Sequence, residues 1–205
     1  MGNQAVPTVK ERAIAVFRNN GGLLRSSEAR RLGIHPQTLK RMTDEGILEK
    51  PERGLYHLKG FELQGDSDMI LVAKLVPKAV FCLISALNFH NMTTQIPRKL
   101  YIALPQQVKE PAIQHPPLDI VWLSDAPYRA GVRQYAIGRL TVRVYDKAKT
   151  VTDCFKFRNK VGEDVAIEAL KDYLQLPDRN IPDLLEYAGI NRVRFIVETY
   201  LKVLI

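Results

Sequence analysis

Apolar and polar positions recur at two periods along this chain, and the change of period divides it into elements. Val9, Ala13, Ile14 and Phe17 fall on one helical stripe. Thr8 and Glu11 stand before that stripe at capping-box spacing, with the Thr8 hydroxyl aimed at the Glu11 amide and the Glu11 carboxylate reaching back. Asn19-Asn20-Gly21-Gly22 stops the helix. Ser26 or Ser27 is expected to cap a short second helix with Ala29 and Leu32 toward the core, and Gly33 supplies a left-handed turn residue. Pro36 suits the first position of a third helix, which Gly46 ends. Ile47–Lys50, the turn Pro51–Gly54 and Leu55–Leu58 then read as strand, turn, strand.

The third helix is the informative one. At 100° per residue Leu39 and Met42 share a face, Gln37, Lys40, Arg41 and Asp44 lie opposite, and Thr38 flanks them near the N-terminus. A narrow apolar stripe with amide and cationic groups outward is what a helix needs to enter a DNA groove. Helix, helix, turn, helix and hairpin within ~55 residues predict a winged helix-turn-helix. The candidate DNA contacts are Ser26, Ser27, His35, Gln37, Thr38, Lys40, Arg41 and, at the wing tip, Arg53.

The polar, glycine-containing run Phe61–Asp68 marks a boundary, giving a DNA-binding domain over 1–60 and a second domain over 61–205. In the second domain, helices are predicted at about Ser67–Val76 and Lys78–His90. Strands are predicted at Leu100–Leu104, Ile120–Leu123, Val132–Ile137 and Leu140–Tyr145, the last two joined by a Gly138-Arg139 turn. Helices follow at Lys147–Arg158 and Glu163–Leu174; Pro177 and Pro182 bracket a break, and a last helix covers Asn191–Leu204 in a helical tail from about residue 178. The fold class is α+β: a winged helix-turn-helix, then a mixed α/β domain with a small sheet and flanking helices.

Charge is uneven along the 205 residues, whose net is +8. Residues 1–60 carry +5 and residues 128–162 carry +7, while 61–127 and 163–205 carry −1 and −3. Two basic blocks suit phosphate neutralisation, although basic charge also serves solubility alone. The second block comprises Arg139, Arg143, Lys147, Lys149, Lys156, Arg158 and Lys160, read as a positive platform for DNA, or for an acidic partner protein or its bound nucleotide or RNA. No apolar stretch approaches a membrane span, since the longest, near Ile70–Leu87, is broken by Lys74, Pro77 and Lys78. The sequence MGNQAVPTVKERA lacks the apolar core of a secretion signal, so a cytoplasmic location is expected.

Catalytic chemistry is not expected. Cys82 and Cys154 sit among apolar neighbours and read as buried free thiols. The histidines at 35, 57, 90 and 115 lack metal-site spacing, and no phosphate-binding loop, dinucleotide fingerprint or nucleophile elbow occurs. His35 is either a helix cap or a phosphate donor, and His90 is read as a polar cap. No cofactor or metal is expected. Asp119 and Asp125 keep one alternative open, a winged-helix nucleic-acid-binding protein with a nuclease or nucleotidyltransferase-type second domain.

Two segments carry a family resemblance. Together with the order of elements, Ser85–Pro105 (SALNFHNMTTQIPRKLYIALP) and Lys149–Leu170 (KTVTDCFKFRNKVGEDVAIEAL) resemble AbiEi-type antitoxins over about residues 8–175. The resemblance implies the antitoxin half of a bacterial toxin–antitoxin or abortive-infection module for phage defence. It implies a winged helix that binds and represses the operon's own promoter. It also implies a C-terminal domain that counteracts a nucleotidyltransferase toxin, without a stable complex being required. Operator DNA with inverted repeats, bound cooperatively or as a dimer and bent, is implied for some members.

Overall fold

The computed structural model describes residues 7–113 and 115–204; the leader reading of residues 1–6 lies outside them. The fold is mixed α+β, with two small sheets and helices, and it divides into two units. The first unit comprises residues up to Pro77 together with Ala136–Thr141, and the second comprises Lys78–Tyr135 and the remainder from Val142.

In the first unit the order is α1 (Val9–Asn19), β1 (Leu23–Arg25), α2 (Ser26–Arg31), α3 (Pro36–Asp44), β2 (Leu48–Glu52), β3 (Leu55–Leu58) and α4 (Ser67–Leu75). The capping box of α1 forms as the sequence predicts: the Glu11 amide donates to Thr8 Oγ1 (3.2 Å) and the Thr8 amide donates to Glu11 Oε2 (2.7 Å). Those hydrogen bonds, the backbone one first, hold the Glu11 carboxyl below its usual range. A depressed folded-state pKa contributes stability that is complete above the unfolded value and is lost as pH falls through the folded one. In an NMR titration, the Thr8 and Val9 amides should therefore move together with the Glu11 carboxyl in acid, and Glu11→Gln should abolish that acid step.

The strands pair in the order β1-β3-β2, all antiparallel, with Leu24 opposite Tyr56 and Leu48 opposite Leu58. Side chains alternate across the sheet. Leu24 and Leu58 therefore pack with Ala13, Phe17, Ala29, Ile34, Leu39 and Met42, while Leu23 and Leu55 pack on the other face with Ile70 and Leu140. Ile137 lies against that second cluster. The hairpin tip Ala136–Thr141 thus contributes two apolar side chains to the first unit from far along the chain.

Local expectations for this unit need three corrections. A strand, β1, precedes α2, and the N-cap is Arg25, whose amide donates to Glu28 Oε2 (2.8 Å). Ser26 instead ties α2 to the β2–β3 turn, its amide (2.8 Å) and hydroxyl (3.1 Å) both donating to the Gly54 carbonyl. Leu32 is 44% exposed, because α2 ends at Arg31 and the buried Ile34 fills the core position. Gly33 (φ +82°) and Gly54 (φ +79°) adopt the left-handed conformation that the α2–α3 and β2–β3 turns need.

The second unit contains β4 (Val80–Phe81), α5 (Leu83–Phe89), β5 (Leu100–Pro105), β6 (Leu118–Leu123) and α6 (Asp125–Arg129). It continues through β7 (Val132–Ile137) and β8 (Leu140–Tyr145), whose shared turn is the tip already assigned to the first unit. Then come α7 (Lys147–Lys156), α8 (Arg158–Val161), α9 (Glu163–Gln175), α10 (Ile181–Ile190) and α11 (Arg194–Leu204). The five-stranded sheet is mixed, in the order β6-β5-β4-β8-β7; β4 runs antiparallel to β5 and parallel to β8, and β5 runs parallel to β6.

Its core joins Val80, Ala103, Val121 and Tyr145 of the sheet to Val151 and Phe155 of α7, Ala166 and Leu170 of α9, Leu184 and Ala188 of α10, and Val197 and Leu201 of α11. The tail from about 178 is therefore part of the core. The predicted helix over 78–90 is in fact a strand and a shorter helix, because Val80 and Phe81 pair with neighbours on both sides. The predicted break between Pro177 and Pro182 ends in α10, with Pro182 in its first turn, where the missing amide hydrogen costs nothing. Cys82 and Cys154 are buried free thiols, and burial raises the pKa of both.

Candidate nucleic-acid interface

The helix α3 is fixed from beneath and free above. Leu39 and Met42 are buried at 2% and 0% exposure, whereas Gln37, Lys40, Arg41 and Asp44 are exposed. At its N-terminus His35 is the cap: its Nδ1 accepts the Gln37 amide at 3.3 Å, which leaves Nε2 as the donor of the neutral ring. His35 therefore caps the helix and still presents one N–H. Thr38 is a correction. It is 8% exposed, since it lies one helical turn before Met42 and shares the buried side, so it is not offered to a duplex.

The cations on α3 are not equivalent. Lys40 has no ion-pair partner among the described residues, whereas Arg41 Nε lies 3.9 Å from Glu45. Glu45 also accepts from Lys10 Nζ at 2.7 Å, and that hydrogen bond holds its carboxyl below the usual range. Arg53 is exposed in the β2–β3 turn and Ser27 is exposed on α2, but Ser26 is engaged with Gly54. Sequence reasoning passed over Arg30 and Arg31, both exposed in the last turn of α2. Their signal was present: two adjacent arginines next to the turn that leads into α3.

One member of the second basic block is a correction to the reading of a positive surface. Lys149 is 0% exposed and is removed from any surface; its ammonium is bound to Asp153 and sits 4.2 Å from the centroid of the Tyr145 ring. Arg139 is exposed at the hairpin tip of the first unit, while the other members belong to the second. Arg143 is half-buried, lies over the Tyr128 ring and donates to its hydroxyl at 3.0 Å. Lys147 pairs with Asp178 (2.7 Å), Lys160 pairs with Asp119, and Arg158 donates to the Phe155 carbonyl (2.9 Å). Lys156 lies 5.9 Å from the Phe157 ring centroid, and burial lowers its pKa. The charge of Lys149 is thus buried, while Lys147 and Lys160 are ion-paired at the surface.

Asp119 and Asp125, the pair that kept a catalytic alternative open, are held separately by Lys160 and Arg129. His57 Nε2 is 2.9 Å from the Phe61 carbonyl oxygen, and His90 Nε2 is 2.7 Å from that of Tyr145, a tertiary contact beyond its C-cap position. Among the described residues, no group of three or more His, Cys, Asp or Glu is arranged to hold a metal ion. Among them, too, no helix is long and apolar enough to cross a membrane.

Comparison with known proteins agrees with the first unit's architecture. Residues 11–59, from α1 through β3, match the family model described as "Transcriptional regulator, AbiEi antitoxin". The match is confined to that segment, which is similar to transcriptional regulators of the AbiEi antitoxin type. Among solved structures, the chain is similar to the crystal structure of the RV2827C protein from Mycobacterium tuberculosis. The TM-score is 0.55 over 98% of this chain and 83% of that one, at 12% sequence identity, so the likeness concerns the fold alone. No curated protein matches the chain significantly.

Proposed function

We propose that this protein is a cytoplasmic antitoxin that represses its own promoter through a winged helix-turn-helix formed by α1 to β3. In this reading α2 and α3 make the helix-turn-helix, the β2–β3 hairpin is the wing, and α3 enters the major groove. Gln37 reads a base edge, Lys40 and Arg41 meet phosphates, and Arg53 touches the neighbouring backbone or minor groove. The carrying observation is α3 itself, with Leu39 and Met42 locked in the core and Gln37, Lys40 and Arg41 outward. The family match over residues 11–59 supports the regulator role.

Two copies on inverted repeats would give the operator its symmetry. The second unit would counteract a nucleotidyltransferase toxin, a reading that rests on the family resemblance. In a gel shift at fixed salt, the full chain should bind duplex from upstream of its own gene about a thousandfold or more tighter than unrelated duplex, the lower end of specific recognition. Equal affinity for both duplexes would reject autorepression.

A further inference from the structure

A cavity of about 380 Å³ opens within the second unit. Around it stand Arg133 and Tyr135 of β7, Asp146 and Lys147 at the start of α7, Asp178, and Asp183 in the first turn of α10. The volume suits a small ligand or a single inserted side chain.

The charged groups around this cavity differ in what they have left to offer. Lys147 Nζ donates to both oxygens of Asp178, at 2.7 and 3.1 Å, so that pair is satisfied internally. Asp146 caps α7 by accepting the Lys149 amide at 2.9 Å, accepts the Tyr187 hydroxyl at 3.1 Å, and lies 3.7 Å from Arg133 Nε. Asp183 is different. Its amide donates to Asn180 Oδ1, but its carboxylate has no hydrogen-bond or ion-pair partner among the described residues. Three carboxylates therefore face two cations, and the unmatched charge is the one on Asp183.

The aromatic wall is fixed in place. Tyr135 packs edge-on against Phe89 (4.9 Å between ring centroids) and His90 (5.7 Å). Burial lowers the pKa of His90, which works against a positive charge on its ring. Both helix N-termini beside the cavity are already capped, by Asp146 and Asn180, and no longer invite an anion.

We propose that this cavity binds the cationic head of an organic amine or guanidine, with Asp183 as its ion-pair partner and the Tyr135 ring as its stacking wall. A cation there gains from the uncompensated carboxylate and from the face of the ring. An anion would meet Asp146 and Asp183 and be repelled. The chemistry is the same whether the head belongs to a free polyamine or to a basic side chain of another protein. The inference is independent of the DNA-binding reading.

The test is an NMR titration of the full-length protein with agmatine, spermidine and an end-blocked arginine tripeptide, using propionate and inorganic phosphate as controls. Saturable shifts at Gln134 and Ala148 are expected with the cations and not with the anions. Asp183→Asn should weaken agmatine about threefold, the loss of one solvent-accessible charge pair. Arg133→Gln, which removes a competing cation, should strengthen it by about the same factor, something a variant that merely damages the fold would not do. Binding of the tripeptide as well as agmatine supports a protein side chain as the source, and binding of the free amines alone supports a metabolite. No saturable shift with any cation at about 10 mM, preference for phosphate, or weaker agmatine binding by Arg133→Gln would each overturn the proposal.

Discussion

Lys40→Ala should lower affinity for duplex DNA of every sequence and flatten the logarithmic salt slope by about one unit, because one phosphate contact and its counterion release are lost. Arg41→Ala should do less, since Glu45 already offsets part of that guanidinium's charge. The double variant should lose between one and two units of slope. Gln37→Ala should behave otherwise: its slope is unchanged, while discrimination at one base pair falls by about 1–3 kcal/mol. All three side chains are exposed and make no core contact, so the thermal midpoint should hold while binding falls. A gel-shift series over salt separates these outcomes. If the Lys40/Arg41 double alanine variant binds like the parent at every salt concentration, α3 is not the helix in the groove.

Lys149→Ala should destabilise the fold by about 3–5 kcal/mol, because it leaves a buried carboxylate without its counter-ion. That is a large share of the roughly 5–15 kcal/mol that holds a typical domain together. Asp153 is 1% exposed, and its Oδ1 accepts from both Lys149 and Asn191 Nδ2, the latter at 2.8 Å. Asn191 Nδ2 also lies 3.0 Å from Thr152 Oγ1. The cluster therefore joins α7 to the link between α10 and α11. Asp153 Oδ2 and Asn191 Oδ1 have no hydrogen-bond partner among the described residues, so the cluster is already costly in desolvation. Removing both charges with Lys149→Met and Asp153→Leu should recover most of the stability lost in either single variant. Urea denaturation of the two single variants and the pair measures this. A double variant no more stable than Lys149→Ala would show that shape, not charge pairing, governs the site.

The parts of the fold that were legible in the sequence are those where one segment carries its own signal. The stripes of α1 and α3, the capping box and the Gly138-Arg139 turn need no distant partner to be recognised. What was missed forms only by pairing. β1 has three residues and β4 has two, and such pieces exist because other strands lie beside them. Lys149 was misread because its charge was counted and its neighbours were not. From Ala148 to Phe155 every residue of α7 is buried, and a helix that is apolar or small on all sides belongs inside. Within that stretch Lys149 and Asp153 are the only charges, four apart and of opposite sign, which was the available signal of an internal pair. The outward position of Gln37, Lys40 and Arg41 was legible because one amphipathic helix defines that face; Thr38 was misplaced by a single step around the cylinder.

The return of the chain to the first unit at Ala136–Thr141 has a practical meaning. A fragment ending at Pro77 keeps every candidate DNA contact of α2, α3 and the hairpin, yet it lacks Ile137 and Leu140. Leu23, Leu55 and Ile70 would then face water on the side those two side chains cover. The first unit is thus spliced from two stretches of sequence, and no single cut frees it whole. Proteolysis or mutation deep in the later half of the gene product therefore reaches the first unit directly, through a missing piece of its own interior.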